Sequence, residues 1–175
     1  MKIKKTNFKD LYLIKYHSFN DLRGELIKIH YYEKLKKYFS QIKQVIIVQN
    51  KKKNTFRGFH FQKKPFEESK IIYCIEGKIK MFCIDMRKKS KTYKKSFTTI
   101  LSSKYKKSIL IPRGFANGYL TKIDNTKIVY LIDNNYIKKS STGFNYKSKF
   151  VNIRLPKEKI TISSNDKKLK ILKNI

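Results

Sequence analysis

The stretch F-R-G-F-H-F-Q at residues 56–62 places His60 between aromatic side chains of a predicted strand, three residues after Arg57. The chain has three histidines, of which the others are His17 and His30. A strand histidine with an arginine on the opposite phase of the pleat fits a base close to an anion site. It fits equally a satisfied core histidine beside a solvated arginine, so this stretch alone leaves both interpretations open.

Short runs of strand-forming residues lie on both sides of this stretch. They are rich in Ile, Val, Tyr, Phe and Thr and are divided by Gly, Asn, Lys and Ser, which is typical of strands and turns. The pattern predicts an antiparallel sandwich or barrel with a cavity suited to a small ligand. We predict strands at residues 11–15, 26–30, 44–48, 55–61, 70–75, 78–85, 95–101, 108–111, 118–122 and 127–132, and short helices at 33–39 and 166–172.

Length and composition indicate one folded domain, residues 1–175, with 40% hydrophobic residues to build its core. No apolar run reaches the roughly 18 residues of a membrane span, and the N-terminus lacks the apolar region of a secretory signal. The two cysteines, Cys74 and Cys83, stand in apolar runs and are expected to be buried thiols. These features predict a cytoplasmic protein without a membrane partner.

The charge is extreme, with 43 Lys and Arg against 12 Asp and Glu and a formal net charge of +31. Such a balance can indicate nucleic-acid binding. Nearly all of these cations are lysines spread along the whole chain, whereas base readout and bidentate phosphate contacts favour arginine. We therefore expect no specific nucleic-acid partner, although the field should attract anionic ligands such as a nucleotide diphosphate.

Further motifs follow in a fixed order: F-N-D-L-R-G at 19–24, F-R-G-F-H-F-Q at 56–62, K-I-I-Y-C-I-E-G at 70–77, D-M-R-K-K-S-K-T-Y at 85–93, I-P-R-G-F-A-N-G-Y at 111–119, a tyrosine pair, Tyr130 and Tyr136, and I-S-S-N-D at 162–166. This order resembles the dTDP-4-dehydrorhamnose 3,5-epimerase family almost from end to end. The resemblance implies an all-β fold, an antiparallel double-stranded β-helix or jelly roll of the cupin type with a few short helices.

The resemblance also implies an activity. In this family a C4 ketone on a nucleotide-linked 6-deoxyhexose acidifies the protons at C3 and C5. A base removes one of them, an enolate forms, and an acid returns a proton from the other face. The implied partners are a nucleotide-diphosphate sugar and a second copy of the chain, since the family forms homodimers, often with exchanged N-terminal strands.

Four residues match the family's proton-transfer positions. By resemblance His60 is the base, Asp166 orients its ring, Lys70 stabilises the enolate and Tyr130 is the acid. Each has a plainer explanation. Asp166 suits a helix cap, Lys70 is one of many lysines, and Tyr130 suits barrel filling in a chain with 12 tyrosines. The family register favours the functional interpretation.

Five further residues match positions that bind substrate. By resemblance Arg23 and Arg57 hold the diphosphate, because forked donors suit phosphate oxygens. Tyr136 would stack on the base, while Gln44 and Asn117 would make polar contacts. No metal and no cofactor are expected, because metal-binding cupins use a paired H-x-H and here the second histidine is replaced by Gln62.

Several positions depart from the family pattern, namely Lys28, Ile46, Asn117, Ser141 and Asn165. The proton-transfer residues are retained while much of the nucleotide and sugar contact set is changed. The exact sugar and nucleotide are therefore open, and a C3-only epimerase or a ketoisomerase-like relative is the first alternative. A non-catalytic jelly-roll binder of anionic ligands is the alternative from another class.

Overall fold

A computed structural model describes residues 1–173. These residues form β-strands, two short α-helices and one 3₁₀ turn, Ser103–Tyr105. The strands are β1 (Lys2–Lys5), β2 (Tyr12–Lys15), β3 (Ser18–Asp21), β4 (Gly24–Ile27), β5 (Gln44–Asn50), β6 (Phe56–Gln62), β7 (Lys70–Glu76), β8 (Lys78–Asp85), β9 (Ser96–Ser102), β10 (Lys107–Ile111), β11 (Phe115–Thr121), β12 (Thr126–Ile132) and β13 (Ser141–Gly143). The helices are α1 (Tyr32–Leu35) and α2 (Ser164–Lys168).

Two antiparallel sheets face each other. One has six strands in the order β1-β2-β10-β7-β12-β5, and the other has five in the order β13-β6-β11-β8-β9. Strands β3 and β4 form a separate hairpin. The arrangement confirms the predicted all-β antiparallel jelly roll.

The main core lies between the sheets and follows the two-residue period of the strands. Alternate residues of β7 (Ile72 and Cys74) face alternate residues of β8 (Ile79, Met81 and Cys83), and all five are fully buried. The two cysteines are free thiols in this core, as the sequence predicts. Burial raises the pKa of Cys74 to about 11, so this thiol is a core residue and no nucleophile.

The outer face of each sheet is also covered in part. Phe56, Phe59 and Phe144 anchor a second cluster on the five-stranded sheet, beneath the C-terminal segment 146–172. Leu35 and Phe39 cover the outer face of the six-stranded sheet. Because the inner strands are buried on both faces, they appear in sequence as nearly continuous apolar runs, which made them predictable.

Several strands and helices differ from those predicted. Strands β1, β3 and β13 were not predicted, because they are short, polar and exposed, and the run 26–30 is a strand only as far as Ile27. The helix predicted at 33–39 is the single turn Tyr32–Leu35, and the one predicted at 166–172 is Ser164–Lys168. In residues 1–173 no helix is long and apolar enough to cross a membrane.

Candidate active site

A cavity of about 820 Å³ opens between the sheets and is closed on one side by α2. All predicted site residues except Arg23 line it: Gln44, Arg57, His60, Lys70, Asn117, Tyr130, Tyr136 and Asp166. The volume falls within the roughly 300–1,000 Å³ range of small-molecule sites. Residues from widely separated strands therefore meet at one place.

An irregularity in β6 places Arg57 and His60 on the same cavity. In a regular strand these residues would point to opposite faces, as the sequence predicts. The pairing with β11 shifts between them, since His60 lies opposite Asn117 while Arg57 lies opposite Tyr119. The extra residue is a β-bulge, which reverses the alternation of side chains and turns both into the cavity.

Gly58 makes this bulge possible. Its φ of +137° lies in the region that favours glycine, and an added Cβ would come within 2.6 Å of the Gly118 Cα on β11. The glycine of the motif is therefore a backbone requirement of the site, and the sequence pattern alone did not reveal this role.

His60 and Asp166 form a pair. The His60 Nε2 lies 2.9 Å from Asp166 Oδ1, and the Gly58 N–H donates to Asp166 Oδ2 at 3.1 Å. The His60 side chain is 44% exposed to the cavity while that of Asp166 is 9% exposed. A ring that donates Nε2–H to a buried carboxylate has Nδ1 free to accept a proton.

Asp166 is held as a carboxylate by its surroundings. Desolvation raises its pKa, but the hydrogen bonds from His60, Gly58 and Ser163 prevail, and the pKa lies below the usual 3.8. The residue that caps α2 is Ser163, whose hydroxyl accepts the Asp166 N–H at 3.0 Å. The plainer explanation of Asp166 as the helix cap is thus wrong, and its carboxylate points to His60.

Lys70 begins β7 and reaches into the cavity from the opposite sheet. Its ammonium lies 2.8 Å from Glu68 Oε1 and donates to Asn117 Oδ1 at 3.1 Å. The Asn117 side chain, predicted to bind substrate, here contacts the lysine. The sequence did not single out Glu68, because an acidic residue in the loop before a strand carries no spacing signal.

Tyr130, on β12 of the same sheet, is half-buried at the cavity wall. Burial, with the neighbouring Tyr119, raises the pKa of its phenol well above 10, although Arg57 acts in the opposite direction. A phenol with a raised pKa stays protonated at neutral pH and can donate a proton.

The residues predicted to bind substrate differ in how firmly they are held. The Arg57 Nε donates to Asn50 Oδ1 at 3.1 Å, and the same oxygen accepts the Tyr119 hydroxyl at 3.1 Å. Gln44 Nε2 donates to the Asn134 carbonyl at 2.5 Å. Tyr136 is 61% exposed at the rim, where an aromatic face is open to stacking. Asn50 was not found from sequence.

Arg23 lies outside this cavity. It stands in the turn of the β3–β4 hairpin with a side chain that is 90% exposed, paired at 2.5 Å with Asp21. Lys28, one of the positions expected to depart from the family pattern, is exposed in the segment after the same hairpin. Within one chain, the hairpin therefore contributes nothing to the cavity. As for metals, residues 1–173 contain no cluster of three or more His, Cys, Asp or Glu side chains able to hold one.

Two facing antiparallel sheets define a jelly-roll protein, and a His–Asp pair, a lysine and a tyrosine line its cavity as a candidate site for proton transfer. Comparison with known proteins gives the family. The sequence model of the dTDP-4-dehydrorhamnose 3,5-epimerase family matches residues 5–174, and the chain belongs to that family. The resemblance inferred from the motifs is thereby confirmed.

Individual relatives are similar to this chain over nearly the whole of both sequences. The chain is 29% identical to the dTDP-4-dehydrorhamnose 3,5-epimerase of Shigella flexneri over 95% of this chain and 93% of that one. The crystal structure of the Bacillus anthracis enzyme with TDP and PPi bound has a TM-score of 0.93 at 30% identity, covering 98% of this chain and 99% of that one. The Elizabethkingia anophelis enzyme has a TM-score of 0.89 at 27% identity, with coverage of 97% and 95%.

Proposed function

We propose that the protein is a 3,5-epimerase of dTDP-4-dehydro-6-deoxyglucose that produces dTDP-4-dehydrorhamnose. The observation that carries this proposal is the His60–Asp166 pair, 2.9 Å apart, on the cavity that Lys70 and Tyr130 also line. Family membership supports the same reaction class. A binder of anions has no need for a base, its orienting carboxylate, a cation and a protonated phenol in one cavity.

The residues supply each part of the reaction. The His60 Nδ1 takes the proton from C3 or C5, and the C–H electron pair moves into an enolate on the C4 oxygen. Lys70 stabilises that developing negative charge. Tyr130 gives its hydroxyl proton to the opposite face of the carbon, which inverts it. The phenolate then regains a proton and the imidazolium loses one to solvent, which restores the site.

Substrate binding uses the rest of the cavity. Arg57, oriented through Asn50, is placed to bind a diphosphate, and Tyr136 at the rim is placed to stack on a nucleobase. The net charge of +31 draws an anionic sugar nucleotide towards the cavity. The reaction as derived needs no metal or cofactor, so turnover is expected to persist in EDTA.

Conversion of the substrate tests this function. Purified protein is mixed with dTDP-4-dehydro-6-deoxyglucose, and product configuration at C3 and C5 is read by proton NMR. Inversion at both carbons is the expected result. Inversion at C3 alone would favour the single-site alternative, and saturable dTDP binding without any inversion would favour the non-catalytic binder.

We also propose a homodimer in which the β3–β4 hairpin of one copy reaches the cavity of the other. The hairpin exposes apolar side chains that a monomer would leave in water: Phe19 is 69%, Leu22 107% and Leu26 60% exposed. Strand β5 is an unpaired sheet edge with Val45 and Ile47 each 61% exposed. Pairing these surfaces would bury both and move Arg23 to the partner's cavity.

A complementation experiment tests whether the hairpin of one copy reaches the cavity of the other. Chains carrying His60→Ala and Arg23→Ala are co-expressed with different tags, and the mixed dimer is isolated. If the hairpin is exchanged, one cavity holds both native residues and the mixed dimer has about half the wild-type rate with a wild-type KM. A mixed dimer with about half the wild-type rate but the raised KM of Arg23→Ala would show that each cavity uses its own Arg23.

We place this activity in a single domain, residues 1–175, in the cytoplasm. Both sheets, the C-terminal segment and α2 contribute to one cavity, which supports the single domain. The two free, buried thiols are consistent with a reducing compartment.

A further inference from the structure

The ammonium of Lys70 is clamped from two sides. Glu68 in the loop before β7 approaches it at 2.8 Å, and Asn117 on β11 of the other sheet accepts its hydrogen bond at 3.1 Å. An ammonium has three N–H donors and no acceptor. Two are engaged by protein, so one is left for a ligand in the cavity.

Glu68 is itself held in place. Its second oxygen, Oε2, accepts a hydrogen bond from Gln62 Nε2 at 3.0 Å. Gln62 is 2% exposed at the end of β6 and is anchored by the Ile137 N–H, which donates to its Oε1 at 2.7 Å. The carboxylate is thus fixed relative to the strand that carries His60.

The pair is nearly removed from water, since the Lys70 and Glu68 side chains are 11% and 9% exposed. A charge in such a place is costly unless it is paired and hydrogen-bonded. A carboxylate facing a developing enolate would be repulsive by itself. With Lys70 held against it, the carboxylate instead fixes the position of the cation.

We propose that Glu68 is a positioning residue, which with Asn117 holds the Lys70 ammonium so that its remaining N–H points to the carbonyl oxygen of the substrate. The proposal rests on the proposed function, because it requires a ketone oxygen on which negative charge develops. It explains why an acidic residue lines a cavity otherwise suited to anions. A plainer role would be to fasten the loop before β7.

A charge-neutral variant separates the two roles. Glu68→Gln keeps the shape and one acceptor oxygen but loses the charge that fixes the ammonium. Because the interaction with the carbonyl oxygen strengthens as the enolate forms, kcat is expected to fall about 10- to 30-fold while KM changes less than twofold. Glu67→Gln removes the same charge one residue away, outside the cavity lining, and should leave both constants unchanged.

A double-mutant cycle with Lys70→Met provides the second readout. If Glu68 acts through Lys70, Glu68→Gln causes no further fall in kcat on the Lys70→Met background. If Glu68 only fastens the loop, the fall is the same on both backgrounds. Glu68→Asp, which keeps the charge on a shorter arm, should recover part of the kcat lost in Glu68→Gln, even if that variant also folds less stably.

Turnover of every variant is measured beside the wild type in one assay, and its thermal unfolding and dTDP affinity are measured as well. The expected pattern is a kcat loss in Glu68→Gln, with dTDP affinity within twofold of wild type. An active wild type with undiminished Glu68→Gln turnover, or equal losses in Glu67→Gln, would overturn the proposal alone. A wild type inactive on the ketone substrate would overturn both this proposal and the proposed function.

Discussion

The cavity wall and the β3–β4 hairpin both carry residues that match motifs of the family, but they differ in how firmly their side chains are held. In the cavity, Asp166 and Lys70 are nearly buried and fixed by several partners. In the hairpin, Arg23 is 90% exposed and holds only its neighbour Asp21, beside apolar side chains left in water. The side chains of the cavity are held within a single chain, whereas the hairpin would be covered only in the dimer proposed above. Under that proposal, proton transfer uses residues of one chain and substrate binding also uses Arg23 of a second copy.

The largest effect is expected at the base. His60→Ala should lower proton exchange at the substrate by roughly 10³-fold or more, because general-base catalysis is lost while the cavity stays intact. Exchange is measured by mass spectrometry in deuterated water, and dTDP affinity should stay within a few-fold of wild type. The matched control is His17→Ala, since His17 is exposed and outside the cavity. Near-normal exchange in His60→Ala would mean that another group is the base.

A smaller loss is expected at the orienting carboxylate. Asp166→Asn should lower kcat by roughly 10²-fold, because the amide no longer stabilises the imidazolium or fixes the ring tautomer. Since the folded pKa of Asp166 lies below 3.8, the carboxylate is ionised at neutral and alkaline pH, and a loss in kcat is expected throughout that range.

The same pKa direction gives a test of stability. A depressed carboxyl pKa contributes stability above the unfolded value, and this contribution disappears as the pH falls through the folded value. The gap in melting temperature between wild type and Asp166→Asn should therefore be widest near neutral pH and close in strong acid. A gap that widens on acidification would contradict the His60–Asp166 pairing.

Gly58 in the cavity wall and Gly24 in the hairpin differ in how much an added side chain should destabilise the fold. Gly58 and Gly24 have φ values of +137° and +127°, but a Cβ on Gly58 would strike Gly118 whereas one on Gly24 would meet nothing within 4 Å. Chemical denaturation should show a loss of about 3 kcal/mol or more for Gly58→Ala and about 1–2 kcal/mol for Gly24→Ala. Equal losses would mean that the close approach of β6 and β11 does not hold the bulge.

The smallest effect is expected in the hairpin. Arg23→Ala should raise KM roughly tenfold or more with kcat almost unchanged, since one charge-assisted contact to a phosphate is worth at least about 1.5 kcal/mol and is made equally in the ground and transition states. Arg154→Ala removes an exposed arginine elsewhere and is the control. An unchanged KM in Arg23→Ala would exclude the hairpin from substrate binding.

These contrasts also show what the sequence can reveal. Apolar runs predicted the sheets, because burial on one face imposes alternation and burial on both faces imposes continuous runs. Family spacing predicted His60, Asp166, Lys70 and Tyr130 as one set. The bulge at Gly58 was not predicted, because an extra residue in one strand is defined only by its partner β11. Glu68 and Asn50 were missed because each acts through side-chain contacts that only the folded chain defines. Glu68 contacts Lys70 and Gln62, and Asn50 contacts Arg57 and Tyr119. Under the proposed dimer, the role of the hairpin depends on the surface of a second copy, and the sequence of one chain does not describe that contact.

The proposed function requires this cavity to exchange the protons next to a C4 ketone. The most direct test is position-resolved deuterium incorporation by the wild-type protein into dTDP-4-dehydro-6-deoxyglucose, followed over time in deuterated water. Deuterium at both C3 and C5, absent when the protein is omitted, is the predicted result. No deuterium at either carbon, although dTDP binds the cavity, would contradict it.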